Sequence, residues 1–388
     1  MFKRTLGIAA FCGLAATAAL AGESRPVRLV TYFMVPGGDD HAGLRTLATQ
    51  YDAVILHEWS AGKLAEFRQA NPQLVCLLYK SGMGLHVRND VESVEFYDNV
   101  INNTSLNSSS WFQTDSQGNR ISWDWDGNGT VDAYAMRPES TGWQQFFAQK
   151  VITDSLEQGW DGVFADDLWT YRGVYGAPSP YSSDAQLQQA MVQFLRYQQN
   201  TLHQYGLWFT GNIGWFTVNN VPVWQDYMAH MDAGMQEKFS PEDPYQWYTQ
   251  MNELTQAMSR RHHMICIRYG AHDNMRRALY SFCNALLVTD GSRLYYGYIP
   301  TTGSSRQPPY YSWYDRASLL GRPMGPLTVN FSQNYGHRRF LNGHVYVNPT
   351  SATKTIPLPA GVWYNQSGQV VTSVTLAPYS GDFVLNRP

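Results

Sequence analysis

The sequence predicts an α/β fold: a (β/α)8 TIM barrel followed by a small antiparallel β-sandwich domain. Short apolar runs recur eight times, each closed by polar or glycine-rich residues. Most are followed by a stretch with helical spacing, and strands alternating with helices pair in parallel, buried on both faces. From about residue 325 the texture changes to short alternating strands separated by Gly, Asn and Pro. Eight strand–helix units over roughly 290 residues suit a barrel of this type.

Ahead of the first unit, Lys3 and Arg4, the apolar run Leu6 to Leu20 and the small residues Ala19-Leu20-Ala21 have the form of an export signal. Residues 1–21 are therefore expected to be cleaved, with the rest exported to the periplasm or the medium. No other segment is long and apolar enough to span a membrane.

The eight runs are RLVTYFMV (28–35), AVILHEW (53–59), LVCLLYKSG (74–82), GVFADDLW (162–169), LWFTGNIG (207–214), DAGMQEKF (232–239), HMICIRYG (263–270) and NALLVTDG (284–291). Between them, residues 44–51, 141–159 and 182–206 carry apolar side chains three and four apart, the last two closing on Gly159 and Gly206. About 60 residues rich in Asn, Ser, Asp and Trp separate the third run from the helix at 141, and they predict a long loop after the third strand, on the face where barrel sites form. The expected domains are a signal at 1–21, a barrel at 22–324 and a β domain at 325–388.

The chain of 388 residues has a formal charge of -3, which becomes -5 once Lys3 and Arg4 leave with the signal, and nucleic acid is not an expected partner. Cys76, Cys266 and Cys283 remain after cleavage, either as buried thiols or with Cys266 and Cys283 bridged. The aromatic share is 14%, with 25 Tyr and 13 Trp; aromatic rings stack on sugar faces as well as filling cores, so carbohydrate is the partner this composition suggests.

The stretch WDGVFADDLW (160–169) places three carboxylates in one strand-like run. Period-two alternation puts Gly162, Phe164 and Asp166 on one face, and Asp166 at the strand end is aimed into the barrel mouth. Asp161, at the other end, has a structural role. In the sixth run Glu237 shares a face with Met235 near the strand end. A strand-four Asp and a strand-six Glu facing each other would supply the two carboxyls that glycoside hydrolysis needs. An ion pair with Lys238 or an arginine is the other reading of Glu237.

Asp161-Gly162-x-x-x-Asp166, the segment MRPESTGWQQFFAQ (136–149), and the C-terminal RRFLNGHVYVNPTSATKTIPLP and APYSGDFVL together resemble glycosyl hydrolase families of (β/α)8 barrels with a small β domain behind them. These are related to the polygalactosaminidase-like and dextranase-like types, and the similarity covers nearly the whole chain after the signal. The resemblance implies a glycoside hydrolase in which Asp166 is the nucleophile, while related families place the acid on different strands.

Other strand ends supply candidate sugar contacts: Tyr32, Glu58, Trp59, Lys80, Asp167, Trp169, Asn212, Arg268 and Asp290. Glu58 and Asp290 are also reserve candidates for the acid. Trp169 and Trp215, past strands four and five, and Trp111, Trp123 and Trp125 in the long loop are candidate stacking surfaces. DWDGNGTVD (124–132) has the spacing of the first part of a calcium loop in Asp124, Asp126, Asn128 and Asp132, but position twelve is Ala135 and a surface turn is expected. His262 and His263 have no clustered ligands beside them, and no metal or cofactor is expected. The function expected is a secreted glycoside hydrolase cleaving a polysaccharide or oligosaccharide with two carboxylates. A non-catalytic carbohydrate-binding barrel serving polysaccharide handling or export is the alternative; a metal-dependent phosphodiesterase lacks the necessary His and carboxylate clusters.

Overall fold

Parallel strands close into a barrel in the order β1 (Arg28–Phe33), β2 (Ala53–Leu56), β3 (Val75–Ser81), β7 (Gly162–Asp166), β8 (Trp208–Asn212), β9 (Ala233–Gln236), β10 (His263–Ala271) and β11 (Leu294–Thr302), which returns to β1. This computed structural model describes residues 25–33, 48–87, 100–101, 108–124, 127–173, 180–214, 221–302, 309–330 and 332–388. Residues 1–21, expected to form an export signal, and Trp125, Asp126 and Trp215 lie outside them.

Alternation along the strands sorts side chains into two shells. Val30, Ile55, Leu77, Tyr79, Phe164, Met235, Ile265, Ile267 and Tyr295 fill the barrel interior. Their neighbours Leu29, Val54, Leu56, Cys76, Leu78, Val163, Ala165, Phe209 and Cys266 pack outward with the surrounding helices. Burial on both faces is why these strands read as continuous apolar runs.

One carboxylate device recurs at the amino ends of three strands. Asp52, just before β2, accepts the Leu29 backbone N–H of β1 at 2.7 Å. Asp161, before β7, accepts the Cys76 N–H of β3 at 2.7 Å, and Asp232, before β9, accepts the Phe209 N–H of β8 at 2.7 Å. Each joins two adjacent strands where the ladder would leave an amide unpaired. Asp161 also takes a 3.0 Å bond from Arg68, so it is a staple at the closed end of the barrel.

The helices that bear on the site are α1 (Leu64–Ala70), α2 (Thr141–Gln158), α3 (Asp184–His203), α4 (Val221–Met228), α5 (Pro244–Ser259) and α6 (Met275–Val288). α2 stops where Gly159 turns into the left-handed region at φ 91°. α3 and α5 start on Ser183 and Asp243, whose side chains accept the Gln186 and Gln246 amides.

The run at 284–291 is not the eighth strand. Residues 284–288 end α6, and the strand follows at Leu294. α6 is buried continuously from Tyr280 to Val288 because the barrel lies on one side and the C-terminal sheet on the other. A helix covered all round loses its polar stripe and cannot be told from a buried strand by periodicity.

That sheet runs in the order β12 (Thr328–Asn330), β13 (Tyr335–Phe340), β14 (Gly343–Asn348), β19 (Ser380–Leu385), β16 (Trp363–Tyr364) and β17 (Val370–Val371). A ribbon of β15 (Lys354–Pro357) and β18 (Ser373–Leu376) packs on it through Ile356, Val374 and Leu376, against Tyr346 and Val384. Gly381 gives α6 its close approach: a Cβ there would lie 2.6 Å from that of Cys283. Arg338 donates to the Leu287 and Thr289 carbonyls at 2.6 Å each, closing the end of α6 onto β13. Cys76, Cys266 and Cys283 are free and buried. No helix among the described residues is long and apolar enough to cross a membrane.

The long segment after β3 has its own small antiparallel sheet, β4 (Gly84–His86), β6 (Ala133–Ala135) and β5 (Ser122–Trp123). Trp111 and Trp123 are corrected from stacking surfaces to packing residues. Trp111 is buried against Phe146 of α2, 5.8 Å between ring centroids, and Trp123 is buried edge-on to His86 at 6.4 Å. In the 124–132 segment the exposed Asp124 carboxylate accepts the N–H groups of Gly127 (2.8 Å), Asn128 (3.2 Å) and Gly129 (2.7 Å), which closes a surface turn.

Candidate active site

Asp166 ends β7 two residues beyond Phe164, whose ring fills the barrel interior, and so opens into the mouth. Both of its carboxyl oxygens accept hydrogen bonds: Oδ2 from the Tyr79 hydroxyl at 2.9 Å, and Oδ1 from the Asp167 backbone N–H at 2.9 Å. Burial, followed by the neighbouring Asp167 and Glu237 charges, pushes this carboxyl up to about 7, against the two donors, which favour its ionised form.

Glu237 follows β9 directly, two residues past the interior side chain of Met235. Asn212, at the end of β8, donates to Glu237 Oε2 at 3.2 Å, and Tyr269 of β10 donates to Oε1 at 3.3 Å. The Tyr269 phenol is held well above its usual range by burial, then by the charges of Glu237 and Asp166, which places it within the field of both carboxylates. Asn212 is fixed in turn by the Gly214 N–H on its Oδ1 at 2.9 Å. Glu237 is thus held by neutral donors; among the described residues neither Lys238 nor an arginine forms an ion pair with it.

Asp167 sits in the left-handed region at φ 61°, a conformation that costs a non-glycine residue on the order of 1–3 kcal/mol and tends to collect at functional sites. Its Oδ2 accepts from the buried Ser81 hydroxyl at 2.6 Å and lies 3.6 Å from His86 Nε2. The turn keeps its carboxylate beside Asp166, where strict alternation would have sent it to the outer shell.

Four expected contacts are placed elsewhere. Lys80 is on the outward face of β3 with Leu78, 1% exposed, and pairs with Glu58 at 2.8 Å. Glu58 also lies 3.5 Å from Lys150 of α2, whose amino group holds Asp154 at 2.8 Å, so Lys80 and Glu58 belong to an ionic cluster between barrel and helix. Arg268 lies between the interior residues Ile267 and Tyr269 and points outward, bonded to Glu242 at 3.2 Å and to the Phe239 carbonyl at 3.4 Å. Asp290 precedes β11, at the end of the barrel opposite the mouth, and receives the Arg293 guanidinium. Neither reserve acid therefore joins Asp166. Tyr32 of β1 pairs with Ile55 of β2; its side chain is outside the described part.

Trp169 is half-buried at the mouth, edge-on to the exposed Tyr171 at 6.5 Å, and its carbonyl accepts the Tyr227 hydroxyl at 3.0 Å. Trp59 lies past β2 with an exposed indole stacked on His57. The residues that went unmarked in the sequence are His57, Tyr79 and Tyr269. Each shares the parity of an interior side chain in its own run: Ile55, Leu77 and Ile267. The alternation that picks out Asp166 would have picked them as well, in place of Glu58, Lys80 and Arg268.

A closed parallel eight-stranded barrel with one carboxyl at the end of its fourth strand and one just past its sixth has the arrangement that glycoside hydrolases use. The chain belongs to hypothetical glycosyl hydrolase family 15, whose sequence model matches residues 68–344. Comparison with curated proteins finds no match. Among solved structures, the chain is similar to an alpha-glucosyl transfer enzyme, XgtA (TM-score 0.56, 11% identity, covering 95% of this chain and 100% of that one). It is also similar to an alpha-amylase from Geobacillus thermoleovorans solved with acarbose (TM-score 0.54, 11% identity, 93% and 98% covered). A third is a cycloalternan-degrading enzyme from Trueperella pyogenes (TM-score 0.55, 12% identity), 61% of which is covered by 95% of this chain. At these identities the likeness is one of fold.

Proposed function

We propose that the protein hydrolyses O-glycosidic bonds of a polysaccharide or oligosaccharide, with Asp166 and Glu237 as the two reacting carboxyls. The observation that carries this reading is geometric: Asp166 and Glu237, from the fourth and sixth barrel strands, open into one mouth, each held by two neutral hydrogen-bond donors. A two-carboxylate mechanism requires one proton donor and one ionised partner, and mutual repulsion favours the state in which the pair holds a single proton.

Asp166 is assigned as the group that attacks the anomeric carbon or activates a water. Both its oxygens already accept hydrogen bonds, an arrangement suited to the ionised form. Glu237 is assigned as the acid that protonates the leaving oxygen, oriented by Asn212 and Tyr269. Glu237 takes on negative charge as it gives its proton to the leaving oxygen, while Asp166 spends its own on the sugar, so the pair need not carry two full charges at once. The export signal at 1–21 supports action outside the cytoplasm, on a carbohydrate in the periplasm or medium.

The test is release of reducing ends from a panel of polysaccharides by the wild-type protein and by Asp166→Asn and Glu237→Gln. The reading requires a polymer that the wild type cleaves and both variants leave intact. Binding without cleavage by the wild type would replace it with that of a carbohydrate-binding barrel.

A further inference from the structure

Trp59 keeps 43% of its surface exposed although one face of its indole lies flat on His57, with centroids 4.2 Å apart and planes 7° from parallel. His57 is 2% exposed and also contacts Tyr79, with ring centroids 4.7 Å apart and planes tilted by 49°. Tyr79 stacks over Phe164 at 6.3 Å, and its hydroxyl holds Asp166 at 2.9 Å. Three rings therefore form a column from solvent to the reacting carboxyl. The turn that carries the column is fastened from the far side as well, because Glu58, between His57 and Trp59, is held by Lys80 at 2.8 Å.

An indole backed this firmly and left open on one side presents a flat apolar surface that does not tilt away when a ligand arrives. A pyranose ring has a matching face of C–H bonds, and stacking leaves its hydroxyls free for polar partners. We propose that the open face of Trp59 is the floor of a pyranose subsite beside Asp166, and that His57 is a positioning residue that keeps this floor and the Tyr79 hydroxyl in register. The inference rests on the reading of Asp166 as a reacting carboxyl. A sugar seated on Trp59 is thereby referenced, through two rings and one hydrogen bond, to the oxygen that acts on it.

The experiment titrates Asp166→Asn calorimetrically with maltohexaose, cellohexaose, chitohexaose and an α-1,4-linked galactosamine hexamer, alone and combined with Trp59→Ala or Trp59→Tyr. The expected result is that one hexasaccharide binds, that Trp59→Ala weakens it about tenfold or more, and that Trp59→Tyr stays within about threefold. Equal binding with and without the indole overturns the subsite, as does binding of none of the four. Release of reducing ends by Asp166→Asn itself would count against the carboxylate reading, a signal separate from the heat of binding.

For His57, the pH profile of hydrolysis is compared in wild type, His57→Ala and His57→Phe. His57→Ala should raise KM and move the acidic limb to higher pH, because Tyr79 loses its support and Asp166 its donor; His57→Phe should restore both. An unchanged limb in His57→Ala, or a His57→Phe no better than it, overturns the positioning role. If His57→Ala does not fold, His57→Phe against wild type decides the role: a displaced limb overturns it and a preserved limb supports it.

Discussion

The Tyr79 hydroxyl donates to Asp166 Oδ2 across 2.9 Å, from the strand adjacent to the one that carries the carboxyl. The pairing register sets this contact, since Tyr79 lies opposite Phe164 and both alternate into the interior just below the mouth.

Removing that donor while keeping the ring separates electrostatics from packing. Asp166 must be ionised to act, and its carboxyl already stands at about 7, so activity on an aryl glycoside should rise with pH through about 7. Tyr79→Phe removes an interaction that favours the ionised form, so the limb should move to higher pH, with a rate loss at pH 6 of about tenfold. A limb displaced downward, or activity that falls as pH rises through 7, would reverse the roles of Asp166 and Glu237.

Glu237→Gln should slow substrates with poor leaving groups by about 100-fold or more, while activated aryl glycosides, which need little protonation, lose much less. Steady-state rates on a matched pair of substrates measure the difference. Equal losses on both would remove the acid role from Glu237.

Why the sequence showed Asp166 and missed Tyr79 is a matter of which physical signal was followed. Carboxylates in an apolar run stand out by composition, whereas a tyrosine there looks like core, although Tyr79 and Tyr269 keep the alternation set by Leu77 and Ile267. Lys80 and Arg268 stood out by charge and proved to face outward, where Glu58 and Glu242 neutralise them. Seven of the eight barrel strands were legible because burial on both faces makes them continuous apolar runs. The same rule failed at α6, since a helix wrapped by barrel and sheet has the same texture. Asp167 was expected near the site, but the left-handed turn that holds it there has no signature in side-chain spacing.

Asp161 accepts from the Cys76 amide and from Arg68, and Asp161→Ala leaves a strand-end N–H without its acceptor. The expected cost is about 1–3 kcal/mol, read as a lower urea midpoint, with KM unchanged at temperatures where the protein is folded. A changed KM with an unchanged midpoint would contradict its assignment as a staple.

Glu253 of α5 is buried, its Oε2 has no hydrogen-bond partner among the described residues, and burial pushes its carboxyl from the ordinary 4.5 to about 7. The folded protein therefore binds this proton more tightly than the unfolded chain. That contribution to stability is fully present below about 4.5 and is lost as pH rises through 7. Glu253→Gln should accordingly raise the thermal midpoint at pH 8 and change it little at pH 4.5, as differential scanning calorimetry would show. An equal gain at both pH values would contradict burial as the cause.

The most direct measurement is the hydrolysis rate of Asp166→Asn on the polysaccharide that the wild type cleaves, with circular dichroism and thermal midpoint recorded on the same sample. The amide keeps the shape of the carboxyl and loses its charge, so the rate should fall by about 1000-fold or more while the fold is retained. A folded Asp166→Asn protein working within about tenfold of wild type would contradict the account.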